Sequence, residues 1–129
     1  MKTIFRSIIF VAVCLDLSAQ TQETKPTMPT KPASAVFDWE KMQPTTVSNG
    51  VRRAVFDGPT ATLDKLHCHI TSLNSGEVSG PPRLHLQEGV IIVKEGTVEA
   101  TFDGRTETVG PGSVIFFASH GTTRLRNPG

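Results

Sequence analysis

The sequence lacks several features that define whole classes of proteins. It has only two cysteines, Cys14 and Cys68, among 129 residues, which is too few for a small protein held together by a disulfide framework. Thirteen Lys and Arg stand against twelve Asp and Glu, and this balance argues against a dedicated nucleic-acid surface, which needs a clear basic excess. No nucleophile–base motif, phosphate loop or nucleotide-binding fingerprint occurs in the sequence. The length suits one domain and not two.

Helical periodicity is also missing. No window after residue 36 keeps apolar residues at the spacing of an amphipathic helix. Nine prolines and eleven glycines instead interrupt short stretches in which β-branched and polar residues alternate, a pattern typical of strands and turns. Asp103-Gly104 predicts a hairpin, because both central positions of a type I′ turn need positive φ. Many short strands must hide their edges, and a small barrel or jelly roll does so, so the sequence predicts an all-β fold.

Residues 1–19 have the pattern of a secretory signal peptide. Two basic residues precede a short apolar run, and Ala19 offers a small residue for cleavage. The run is shorter than the roughly 20 apolar residues that span a bilayer, so no stable membrane insertion is expected. We expect a secreted or periplasmic protein. A lipoprotein attached through Cys14 is disfavoured, because Val13 precedes it where a small residue is usual.

Residues 20–35 are predicted to be a disordered linker. They contain three prolines, five Thr or Ser and few apolar side chains, and cannot bury enough surface to offset the entropy lost on ordering. The folded domain is therefore expected over residues 36–129, with Phe37 and Trp39 as its first core anchors. Cleavage after Ala19 would leave Cys68 as the remaining thiol, which we expect to be buried and inert.

Residues 80–127 resemble the cupin family of small β-barrels, which have two characteristic motifs. The first motif is matched from Gly80 to Gly96, and the second, shifted and shortened, from Gly104 to Asn127. The phrase IIVKEGTVEA at residues 91–100 makes the resemblance specific. The resemblance implies a cupin-like β-barrel or jelly roll, with a pocket for a small ligand in its interior or mouth.

The resemblance also implies where metal ligands would stand, at Arg83, His85, Gly89 and Thr123. Only His85 carries a suitable side chain, because a guanidinium stays protonated, glycine has no side chain and threonine is a poor ligand. Transition metals normally need three or more protein ligands. We therefore expect no cofactor, and a pocket histidine that is hydrogen-bonded to a neighbour.

A metal site with altered ligands is the alternative. His120 lies on the loop before the last strand, and a local bulge could turn Glu88 towards the pocket. Either residue would then assist His85 in holding Fe, Mn, Ni or Zn. His67 and His69 share one face of a long strand, but nothing nearby in sequence completes their ligand set, so a structural or surface role is expected for both.

The fixed charge of Arg83 indicates a different use of the pocket. Beside His85 and Gln87, it could hold the carboxylate or phosphate of a small molecule by paired hydrogen bonds. The leading hypothesis is a secreted, non-catalytic cupin domain that binds a sugar or organic acid, or that has lost its function. Its expected ligand-binding residues are Arg83, His85, Gln87 and Thr123.

Two further hypotheses remain open. One is a metal-dependent enzyme of the oxygenase or isomerase type, and the other is an interaction module that pairs an exposed sheet edge with a partner. Similar cupins continue past Asn127 into at least one more core strand, so the barrel is expected to lack its last strand. Either another chain supplies that pairing, as in a homodimer joined through sheet edges, or the sequence is a truncated, decaying gene product. The basic pair Arg52-Arg53 is expected on the solvated surface.

Overall fold

The computed structural model describes residues 8–16 and 32–129. Within these ranges every regular element is a β-strand. These residues therefore include no helix long and apolar enough to cross a membrane. The strands are β1 (Ile8–Asp16), β2 (Thr45–Val47), β3 (Gly50–Gly58), β4 (Lys65–Leu73), β5 (Arg83–Leu84), β6 (Glu88–Glu95), β7 (Val98–Phe102), β8 (Arg105–Val109), β9 (Val114–Phe117) and β10 (Thr122–Arg126).

The strands form two sheets whose neighbours all run antiparallel. One sheet has the order β2-β3-β4-β1-β6-β9, and the other has the order β5-β10-β7-β8. Apolar side chains from both sheets make one buried cluster, with Phe10 and Val93 from the first sheet and Val98 and Leu125 from the second. This arrangement confirms the predicted all-β jelly-roll fold, since each strand turns one face inward and the other outward.

The hairpin between β7 and β8 turns at Asp103-Gly104. Both residues have positive φ, 49° and 79°, as the predicted turn requires. The strands pair from Val98 with Val109 down to Phe102 with Arg105. This two-residue turn therefore fixes the register of the smaller sheet.

β1 lies within the segment that the sequence pattern assigns to an export signal. It pairs with β4 on one side and β6 on the other, and Ile8, Phe10 and Ala12 are buried in the core. The folded unit therefore contains a strand that precedes the expected boundary at residue 36. A chain with β1 in this place has not been cleaved after Ala19, and export stays a prediction.

Residues 17–31, which include most of the predicted linker, lie outside the described residues. Phe37 is 46% exposed, so it is not the core anchor that was expected. Trp39 is half-buried and lies between two cations, 4.3 Å from the Arg53 guanidinium and 4.1 Å from Lys94 Nζ. Because Arg53 is on β3 and Lys94 on β6, the indole contacts strands on either side of the β4–β1 pair.

Candidate functional site: a basic pocket between the sheets

A cavity of about 690 Å³ opens between the two sheets. One wall comes from β1, β3 and β4, and the opposite wall from β5, the loop after it and β10. None of its lining residues in the described part of the chain is Asp or Glu. Six lining side chains are basic or imidazole groups, namely Arg52, Lys65, His67, His69, Arg83 and His85.

The four residues expected to bind a ligand, Arg83, His85, Gln87 and Thr123, all line this cavity. Thr123 on β10 pairs with Arg83 on β5, so the backbone ladder brings the two side chains together. The Thr123 hydroxyl and His85 Nε2 are 2.8 Å apart and hydrogen-bonded. His85 is thus hydrogen-bonded to a neighbour, as the sequence led us to expect.

Three residues expected at the surface or in structural roles, Arg52, His67 and His69, also line the cavity. Arg52 Nη2 lies 3.1 Å from His67 Nε2, and a guanidinium can only donate. His67 Nε2 is therefore the acceptor in this contact, and His67 Nδ1 lies 3.2 Å from Asp57 Oδ1. Strand alternation predicted that His67 and His69 share one face of a strand. It did not predict the strand pairing that turns this face towards the cavity.

The charges around the cavity act on its imidazoles. Burial lowers the pKa of His69 to about 4, with further contributions from the neighbouring Arg52, His67 and Arg83. Burial also lowers the pKa of His85, and Arg83 adds to the effect. Both rings are therefore neutral at pH 7, when the positive charge of the pocket comes from its Arg and Lys side chains.

Part of the pocket lies in a region that matches a known protein family. Residues 69–129 match the family model described as a cupin domain. The chain carries a cupin domain. Searches of curated proteins and of solved structures found no match to the chain. The cupin match begins at His69, so β1, β2 and β3, which supply part of the pocket wall, lie outside it.

The residues present do not fit a cupin metal centre. The ring of Phe117 packs against His85 at an angle of 45°, with centroids 4.5 Å apart, and it fills the space that a Cβ on Gly89 would need. A ligand side chain at position 89 is therefore sterically blocked as well as missing. Among the described residues no group of three or more His, Cys, Asp or Glu is placed to hold a metal ion.

The two residues considered as substitute ligands do not enter the pocket. Glu88 is exposed, and β6 pairs with β9 in continuous register from Gly89 to Ile92, so this pairing has no bulge that would turn Glu88 inward. His120 is exposed, and its backbone amide, not its ring, contacts His85 by donating to the carbonyl oxygen at 2.6 Å. Neither Glu88 nor His120 therefore supplies a second metal ligand beside His85, as the alternative metal site would require.

Both cysteines are free thiols with different surroundings. Cys14 lines the cavity, and burial, followed by the nearby Cys68, raises its pKa above the usual value. Burial likewise raises the pKa of Cys68. Both side chains are therefore neutral thiols at pH 7 and weak nucleophiles. Cys68 is only half-buried, and not fully buried as expected.

Proposed function

We propose that this cupin domain binds a small organic acid without transforming it. The observation that carries the proposal is the one-sided charge of the pocket. Arg52, Lys65 and Arg83 line it, and no described carboxylate does. Lys65 is paired with Asp57 at 3.2 Å, outside the lining, which leaves the two guanidinium groups as the main cationic groups for a ligand.

The chemistry of the walls favours a carboxylate or phosphate attached to a carbon skeleton. A guanidinium donates two parallel hydrogen bonds to such a group, and Arg83 and Arg52 approach the cavity from opposite walls. Between them the lining includes the apolar side chains of Phe10, Ile91 and Phe117. The cavity has the size of typical small-molecule sites, and a sugar acid or an aromatic acid would use both kinds of surface.

Binding without catalysis is supported by the functional groups in the described pocket. His85 has none of the three further ligands that a cupin metal centre would have at positions 83, 89 and 123, and the Cys14 thiol is held in its protonated form. A metal-dependent oxygenase or isomerase would therefore need donors other than those that line this cavity.

Secretion with removal of residues 1–19 is a separate proposal and excludes this pocket, because Phe10, Ala12 and Cys14 of β1 line it. It is supported by the sequence pattern of residues 1–19. Determination of the N-terminal residue of the exported protein tests it, because cleavage after Ala19 would yield a chain without β1.

Titration of the full-length protein with matched acids and neutral analogues tests the binding proposal. Benzoate and glucuronate are compared with benzamide and glucose by calorimetry or by amide chemical shifts. We expect the acids to bind and the neutral analogues not to bind. Arg83→Ala should weaken acid binding about tenfold or more, whereas Arg124→Ala, an exposed arginine of β10 outside the cavity, should leave it unchanged.

Three results would contradict the proposal. They are the absence of acid binding even at millimolar concentration, equal affinity for the neutral analogues, and the same loss of affinity in Arg83→Ala and Arg124→Ala. The third result would mean that the net charge of the protein, and not the pocket, attracts the acid.

A further inference from the structure

β1 is far from β2 along the chain, since residues 17–44 separate them, yet it lies in the interior of the larger sheet. We propose that the space between β4 and β6 is a binding site for an extended apolar peptide strand, and that Ile8–Asp16 is its intramolecular ligand. On this proposal the sheet holds β1 through contacts that do not depend on the covalent connection. The proposal does not rest on acid binding.

Backbone pairing on both sides is the first support. β1 pairs with β4 along its whole length, from Ile8 with Leu73 to Asp16 with Lys65. It pairs with β6 from Ile9 to Leu15, with one register shift between Ile9 and Phe10. In the described sheet, β4 and β6 each pair with β1 and not with one another. Neighbouring strands lie about 4.8 Å apart, so the space between β4 and β6 is one strand wide. An empty space would leave two rows of backbone donors and acceptors unpaired.

The side chains of β1 fix the register in which this strand pairs with its neighbours. Ile8, Phe10 and Ala12 point into the core, and Ile8 is only 1% exposed. The Ile8 side chain lies directly against Gly96, where a Cβ would not fit and where φ is +75°. A shift of one residue would turn every inward side chain to the opposite face. The site therefore selects a strand with apolar residues at alternate positions and one of them over Gly96.

Trp39 contacts side chains on the outer face of the same sheet. Its ring is held between Arg53 of β3 and Lys94 of β6, and these two strands flank the β4–β1 pair. The indole therefore links the strands on either side of the inserted one. This link resists the widening of the sheet that release of β1 would require.

A protein cut between β1 and β2 tests the inference. A protease recognition sequence is placed between residues 20 and 30 of the full-length chain, and the folded protein is then cut and passed over a size-exclusion column. Mass spectrometry identifies the fragments in each peak. We expect the fragment that contains residues 8–16 to elute with the rest of the protein and to separate only in denaturant. Elution of that fragment on its own in native buffer would overturn the proposal, whatever the state of the remaining chain.

Two variants of the cut protein test the side-chain fit. Ala12 is 7% exposed and Leu15 is 44% exposed, so Asn at position 12 would be buried and Asn at position 15 would be in contact with water. Ala12→Asn should reduce the retained fragment at least fivefold, and Leu15→Asn should retain it as the parent does. Equal retention by both would overturn the register argument. If Ala12→Asn does not fold, the cut parent protein decides the proposal alone.

Discussion

The two walls of the pocket differ in construction. The wall of β1, β3 and β4 consists of nine-residue strands inside the larger sheet, and it includes the buried Phe10 and Ala12. The opposite wall is built on the two-residue β5 and the loop after it, where Arg83 and Leu86 are exposed. The first wall is largely part of the hydrophobic core. The second is a polar margin attached to it, apart from Leu125 of β10, which is buried in the core. Substitutions in the first wall should therefore lower stability, and those in the second should lower affinity.

The largest expected effect is on the buried wall. Phe10→Ala should lower the free energy of unfolding by about 3–5 kcal/mol, because a large core side chain is replaced by a cavity. Phe116→Ala is the matched control, since Phe116 lies on β9 and is 59% exposed. Urea unfolding of both variants checks the difference. Similar losses in the two variants would mean that β1 is not part of the core.

Arg52 and Lys65 are the exceptions in the buried wall, because both are exposed and charged, and Lys65 is already paired with Asp57. Arg52→Ala should weaken acid binding about tenfold, which is about 1.4 kcal/mol, with little change in the free energy of unfolding. Arg105→Ala is the control, since Arg105 contacts the Phe102 ring and does not line the cavity. Calorimetric titration with benzoate measures the effect. Unchanged affinity in Arg52→Ala would assign acid binding to the Arg83 wall alone.

The hydrogen bond between Thr123 and His85 should have a smaller effect. Thr123→Val keeps the shape of the side chain and removes the hydroxyl, so it should cost about 1 kcal/mol of unfolding free energy. Thr108→Val changes an exposed threonine on β8 in the same way and should cost less. If urea midpoints show no difference between the two variants, the hydroxyl does not stabilise this wall.

The smallest expected effect is the dependence of acid binding on pH. The pKa of His69 is about 4 in the free protein, held down by burial and by the neighbouring basic groups Arg52, His67 and Arg83. A bound anion offsets those charges and favours the protonated ring, so binding takes up protons and the affinity rises as the pH falls. Between pH 7 and pH 5 we expect affinity to increase about threefold.

A sulfonate is the appropriate probe for this measurement, because it stays ionised over the whole pH range. His69→Asn should flatten the dependence, since it removes a titrating ring from the pocket. An affinity that falls as the pH is lowered would contradict the predicted direction of the pH dependence.

The sequence predicted one wall of the pocket better than the other, for a physical reason. Arg83, His85, Gln87 and Thr123 were identified because they occupy positions in a motif, so their proximity follows from the resemblance. The placement of Arg52 and His69 depends on β3–β4 pairing and on which sheet face is buried. Alternation shows that two side chains share a face, but not which face is inside.

β1 shows a second limit of the same kind. A short apolar run after basic residues is typical of an export signal. A continuous apolar run also suits a strand that is buried on both faces of a sheet. Ile8–Asp16 satisfies both patterns. The pairing with β4 and β6 that shows the strand is not local to the segment, and the export signal stays a prediction.

The position of Trp39 gives the molecule an optical probe of its own. The sequence contains one tryptophan and no tyrosine, so ultraviolet emission above that of phenylalanine comes from a single ring. That ring lies between Arg53 and Lys94, and its emission responds to the charges and water around it. Loosening of the sheet around β1 could therefore be followed in real time by fluorescence, without a dye and without changing any residue.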